Sequence, residues 1–199
     1  MKSLSSLLKS FTVTAAVAGI MALGSQAAFS AHHKSMGHGS IKVGGEAMLP
    51  TKNIVQNAVN SKDHTTLVAA VKAAGLVDTL QGKGPFTVFA PTNSAFGKLP
   101  QNTVPTLLKK ENLGTLKGVL TYHVVAGRLD KATLWKWVKK GNGKTELKTV
   151  AGGKLWVIAN GPANLIIKDE KGNTANVPTY DVMQSNGVIH VIDTVLMPK

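Results

Sequence analysis

Apolar positions along the chain recur at helical spacing in its first half and alternate in short runs afterwards. Ile54, Val55, Ala58 and Val59 form one stripe behind Thr51, a residue type suited to capping a helix start. Leu67, Val68, Val71 and Ala74 form a second, between Asp63 as cap and Gly75 as terminator. Leu76, Val77 and Leu80 continue as a short helical piece up to the break at Gly82-Lys83-Gly84-Pro85. Phe86-Thr87-Val88-Phe89 then alternates, which predicts a strand ending at Pro91, with Phe86 and Val88 on one face and Thr87 and Phe89 on the other. The spacing predicts helices over 103–110 and 113–121, a β-like segment over 122–125 and a basic helix over 131–140. Beyond Gly141, short strands are expected at 145–150, 154–159, 164–168, 174–177, 187–191 and 194–197, separated by Gly, Asn and Pro turns. Helices followed by strands predict an α+β domain over 49–198 rather than alternating βαβ units.

Two segments precede that domain. Residues 1–30 join Lys2 and Lys9, an uncharged apolar stretch over 11–23 and small residues up to Ser30. That is the pattern of a cleaved secretory signal peptide. Residues 31–48 mix His, Gly, Ser and Met without a period and are expected to form a flexible tail. The expectation is a secreted or periplasmic protein with no transmembrane segment in the mature chain.

Composition narrows the chemistry. The absence of cysteine among 199 residues excludes disulfides, thiolate metal sites and cysteine nucleophiles. The formal charge is +13, and it falls to +11 when Lys2 and Lys9 leave with the signal. Such a charge favours an acidic partner. Only Arg128 among the 23 basic residues is arginine, which argues against nucleic acid, whose phosphates and base edges favour the bidentate guanidinium.

Three segments carry a family resemblance. Phe86-Thr87-Val88-Phe89-Ala90-Pro91-Thr92-Asn93-Ser94-Ala95-Phe96 resembles the first signature of the fasciclin (FAS1) family. Asn186-Gly187-Val188-Ile189-His190-Val191-Ile192-Asp193-Thr194-Val195-Leu196-Met197-Pro198 resembles the second, and Tyr122-His123-Val124-Val125 resembles the Tyr-His motif between them. The chain is most similar to the small, secreted, single-domain bacterial members. The resemblance implies a β-wedge or sandwich of short strands packed with several short helices. It implies a non-catalytic role in adhesion to a cell surface or matrix, through an envelope or extracellular protein. It also points to Asp181-Val182 and Tyr122-His123 as the adhesive positions, with Val182 departing from the Ile common there. Tyr122 is as compatible with the core as with a contact surface. Some relatives carry apolar, carotenoid-like pigments, and here Ile54, Val55, Val124 and Val125 would line the groove such a ligand needs.

The remaining candidate chemistry is sparse. A metal site at His123 or His190 would require another His or carboxylate at helical or hairpin spacing, and Asp193 faces away from His190 on an extended strand. Both histidines are expected to satisfy buried backbone groups. No hydrolase elbow, zinc-protease helix or phosphate loop occurs, so neither an enzyme nor a cofactor is expected. On the basic helix, Leu134, Trp137 and Val138 are expected to point inward, leaving Trp135 beside Lys131, Lys136, Lys139 and Lys140. A Trp among lysines suits an acidic polysaccharide or an anionic membrane surface. In the tail, cleavage after Ser30 would expose Ala31-His32-His33, whose free amine and third-position imidazole can hold Cu(II) or Ni(II) in a square plane. Met36 and His38 would add ligands there, and cleavage after Ala27 would abolish the arrangement.

Overall fold

The computed structural model describes residues 40–199. The signal peptide expected over 1–30 and the ligand set Ala31, His32, His33, Met36 and His38 lie outside the described residues. The segment expected as a flexible tail over 31–48 includes paired strands in its described part. Ile41–Val43 (β1) and Glu46–Met48 (β2) pair as an antiparallel hairpin. Gly44 and Gly45 supply the positive φ of its two-residue turn, and Val43 and Met48 are buried in the core. With three residues to a strand, the alternation is too short to register among the surrounding glycines.

Three short helices follow, Ile54–Ala58 (α1), Thr65–Ala73 (α2) and Val77–Gln81 (α3). Asn53, rather than Thr51, caps α1: its side chain accepts from the Gln56 N–H while the Gln56 side chain accepts from the Asn53 N–H. Asp63 lies inside a 3-10 turn, Lys62–His64, and does not cap α2. Next come Phe86–Pro91 (β3), Asn93–Gly97 (α4), Thr103–Leu107 (α5), Leu113–Tyr122 (α6), Val124–Ala126 (β4) and Lys131–Lys140 (α7). The chain ends in Lys144–Lys148 (β5), Lys154–Asn160 (β6), Asn164–Lys168 (β7), Thr174–Asn176 (β8), Thr179–Gln184 (β9) and Gly187–Ile192 (β10). Strand β9 has no counterpart in the expected set, and 194–197 is not a strand. The cause at β9 is local. Asp181 adopts φ 58, and the β9–β10 register shifts opposite His190, so the alternation is interrupted within the strand.

The architecture is the expected α+β arrangement. One sheet has the order β4-β3-β10-β9, with β3 and β10 parallel, and the other is the antiparallel meander β5-β6-β7-β8. Strands β3 and β10 form the wall shared by two cores. Phe86, Val88, Ala90, Ile189 and Val191 face a core closed by α1–α3 and α6, whereas Phe89 and Ile192 face one closed by α7 and the meander. The predicted alternation along Phe86–Phe89 therefore serves both sides of the wall. Where the two strands begin, a Cβ on Gly187 would collide with the Phe86 carbonyl, a close approach that glycine permits.

Candidate functional site

The motif side chains are engaged internally. Tyr122 ends α6 fully buried; its hydroxyl donates to the Lys154 carbonyl at 2.6 Å and accepts from the Glu170 N–H at 3.0 Å. Burial pushes its ionisation up to about 12. His123 donates from Nδ1 to the Val119 carbonyl at 2.8 Å, and its Nε2 accepts from the Leu196 N–H at 3.0 Å. Burial pulls this ring down to about 4, with the Val119 carbonyl and Asp169 opposing. His190 donates from Nε2 to the Leu129 carbonyl at 2.8 Å, while Nδ1 accepts from the Asp181 N–H at 3.3 Å. Its ring stacks on Phe89 at 5.7 Å and meets the edge of Tyr180 at 5.9 Å, and burial again lowers its pKa. With both nitrogens of each ring on backbone groups, neither histidine has a free position for a metal or a proton relay.

This placement separates the four positions the resemblance points to for adhesion. Tyr122, His123 and Val182 are buried and present no surface to a partner. Asp181 is half-buried, and its Oδ1 accepts from the Lys131 N–H at 2.7 Å. Asp130 beside it caps α7 by accepting from the Thr133 N–H at 2.8 Å, and the Thr133 side chain together with that N–H lowers its pKa. Two carboxylates thus meet the positive end of the α7 dipole and fix the helix against β9.

Helix α7 itself reverses the expected roles of its tryptophans. Leu134 and Val138 are buried, but Trp135 packs beside them on the meander core while Trp137 is 40% exposed. The inward stripe runs through 134, 135 and 138, which turns 137 onto the opposite flank. Lys139 Nζ lies 5.8 Å from the Trp135 ring centre and Lys131 Nζ 4.3 Å from that of Tyr180, so these lysines cover the aromatic rings. Lys136, Lys139 and Lys140 are exposed. Trp137 and the 49%-exposed Val150 instead edge an open groove of about 400 Å³ between α7 and β4–β5, walled by Val125, Leu147 and Lys148. Residues 131–148 hold six lysines against Glu146 alone, and Glu146 is held by Lys154 at 3.1 Å. Val150 was the legible signal for this patch, since it continues the outward-facing positions of β5 as an apolar residue.

A second feature lies in the helical core. A cavity of about 100 Å³ is lined almost wholly by apolar groups, among them Ile54, Val55 and Val124, as a ligand groove near the helices would require. Val125 points to the other side of β4, into the groove beside α7. His64, which the sequence did not single out, also lines the cavity. Among the described residues no group of three His, Asp or Glu could hold a metal ion, and no helix is long and apolar enough to cross a membrane.

Comparison with known proteins places this geometry. A family described as the fasciclin domain matches residues 62–198. Protein sll1483 of Synechocystis is 47% identical over 147 residues, covering 73% of each chain. Immunogenic protein MPT70 of Mycobacterium tuberculosis is 38% identical over 146 residues, 71% of this chain and 66% of that one. Among solved structures, a FAS1 domain pair from the insect cell adhesion molecule fasciclin I is similar with a TM-score of 0.65 and 20% identity. The match covers 75% of this chain and 52% of that chain, about half the length of the pair, and the likeness is one of fold.

Proposed function

The chain belongs to the fasciclin family, and from that premise we propose that it is a secreted or periplasmic adhesion module that binds an envelope protein or an acidic surface polysaccharide. Fasciclin domains are in general non-catalytic modules for interaction and adhesion. The observation that carries the reading is the α7 face, where an exposed indole edges an open groove on a helix that also exposes Lys136 and Lys140. Lysine charge accelerates encounter with an acidic polymer. The flat ring then offers an apolar platform to a sugar face or an aliphatic side chain. The single arginine contributes nothing to this surface chemistry, because Arg128 donates to the Gln184 and Ser185 carbonyls at 2.9 and 3.2 Å.

The test is binding of the mature protein to polygalacturonate and to envelope extract, at low and high salt. The wild type should bind at low salt and weaken above physiological ionic strength. Trp137→Ala combined with Lys136→Glu and Lys140→Glu should abolish binding. Equal binding by that variant, or capture only by anionic lipid vesicles, would overturn the assignment. Export is checked by N-terminal sequencing of the mature protein, with a start at Ala28 or Ala31 as the expected result.

The cavity favours a second reading, carriage of an apolar, carotenoid-like ligand. At about 100 Å³ the cavity is smaller than the ~150 Å³ that holds a benzene ring, so a long molecule would place only part of one end inside. An absorbance band copurifying from a pigmented host supports this reading, and a colourless preparation opposes it.

A further inference from the structure

The groove beside α7 runs along an unpaired strand edge. Five consecutive residues, Glu146 to Val150, line it, whereas a depression on one face of β5 would touch only alternate ones. Strand β5 is an edge of the meander and β4 an edge of the other sheet. A single antiparallel bridge, Val125 to Thr149, joins them, and the groove opens beside it. The β5–β6 register decides which backbone groups of β5 face away from the meander. At its two ends the Ala159 N–H donates to the Gly143 carbonyl at 2.9 Å and the Thr149 N–H to the Gly153 carbonyl at 2.8 Å. Bonded antiparallel pairs recur at every second residue, so Thr145 and Leu147 bond β6 while the N–H and C=O of Glu146 turn away from it. Among the described residues, neither main-chain group of Glu146 has a hydrogen-bond partner. Leu147 is buried on the α7 side, and Lys144, Glu146 and Lys148 stand exposed on the other face.

We propose that β5 takes up an extended segment of a partner protein as an added antiparallel strand, whose residues alternate between acidic or polar and apolar. The proposal rests on the adhesion reading and commits it to a protein rather than a polysaccharide. The residue opposite Glu146 exchanges two main-chain hydrogen bonds with it. Residues two places to either side stand opposite Lys144 and Lys148, where carboxylates complete opposite-charge pairs. The residues between them project to the face that carries Leu147, towards the groove edged by Trp137, and suit apolar side chains. Glu146 does not repel such a segment, because Lys154 holds its carboxylate at 3.1 Å, and an uncharged residue fits opposite it. A second copy of this chain is a poor occupant. Antiparallel self-pairing centred on Glu146 would set Lys144 against Lys148 and Glu146 against itself, and like charges directly opposed destabilise a pair. Lysines on an edge deter apolar strands, and these admit an acidic one.

The probe is the peptide acetyl-EVTVE-amide, which presents its carboxylates on one face and its valines on the other. Binding to the mature protein is followed by NMR titration. The peptide should bind at low salt and move the Glu146 amide proton downfield. N-methylation of the central threonine blocks the bond to the Glu146 carbonyl and should weaken binding roughly tenfold. N-methylation of the valines, whose N–H groups point away from β5, should leave it unchanged. Lys144→Glu combined with Lys148→Glu should also weaken binding roughly tenfold, by reversing both charge pairs. Equal binding by the two methylated peptides, with the Glu146 amide unmoved, would mean charge attraction alone and overturn strand addition. Absence of peptide binding overturns it as well. In that case Trp137-dependent binding to polygalacturonate keeps the adhesion reading, and loss of both removes both. Should the double variant fail to fold, the two methylated peptides decide the matter on the wild type.

Discussion

His190 and Trp137 are both aromatic residues in prominent sequence settings, yet they occupy opposite situations. His190 is fully buried, with one nitrogen on the Leu129 carbonyl, the other on the Asp181 N–H, and its ring against Phe89. Trp137 is 40% exposed at the edge of a groove, on a helix whose inward stripe passes it by. The same contrast runs between Tyr122 and His123 on one side and Lys136 and Lys140 on the other. Residues that make the family recognisable hold the wall between two cores. The exposed indole and lysines proposed to meet a partner lie on α7, outside every motif. The two regions should therefore respond to substitution in opposite ways.

The largest effect is expected from His190→Ala. It leaves the Leu129 carbonyl and the Asp181 N–H unpaired and opens a void against Phe89, so denaturant unfolding should show a loss of about 3–5 kcal/mol. Partner binding should be retained wherever the variant remains folded.

Acid should act on the same interior. His123 titrates at about 4 when folded against 6.5 when unfolded. A depressed folded pKa means that the unfolded chain takes up protons first, so stability is complete above pH 6.5 and is lost as pH falls towards 4. The loss from His123 is about 3 kcal/mol over that window, and the lowered pKa values of His190 and His64 act in the same direction. Urea midpoints measured between pH 7 and pH 4.5 should fall steadily; a flat profile would show that the histidines are not buried neutral.

Tyr122→Phe is milder. It keeps the ring and removes two hydrogen bonds, to the Lys154 carbonyl and from the Glu170 N–H, for an expected loss of about 1–2 kcal/mol by chemical denaturation. Trp137→Ala should be the smallest in stability, within about 0.5 kcal/mol. The same substitution should lower partner affinity at least tenfold, which sharpens the contrast from the other side.

How much of this was legible depends on where the deciding contact lies. The α6 and α7 helices and strands β3 and β10 were readable because their apolar period is long enough and points at a core on each side. Hairpin β1–β2 was hidden, since its buried residues Val43 and Met48 flank a turn within a Gly-rich run. Strand β9 was hidden by Asp181, whose left-handed backbone breaks the alternation that would reveal it. On α7 the lysines were legible, but Trp135 and Trp137 flank the Leu134–Val138 stripe on either side, and helical period alone cannot choose between them. The meander decides, by packing against Trp135. The cavity-lining Ile54, Val55 and Val124 followed from apolarity, whereas Val125 faces the other way because β4 alternates. His64, set between Asp63 and the first turn of α2, reads as a solvated helix start, and its burial arises from tertiary contacts alone.

The most direct test of the contrast is a side-by-side binding isotherm on polygalacturonate and envelope extract for three proteins: the wild type, Tyr122→Phe, and Trp137→Ala with Lys136→Glu and Lys140→Glu. The wild type and Tyr122→Phe should bind alike, and the α7 variant should lose binding while unfolding at the wild-type denaturant concentration. Loss of binding in Tyr122→Phe with retention in the α7 variant would contradict the assignment of framework to the motifs and of contact to α7.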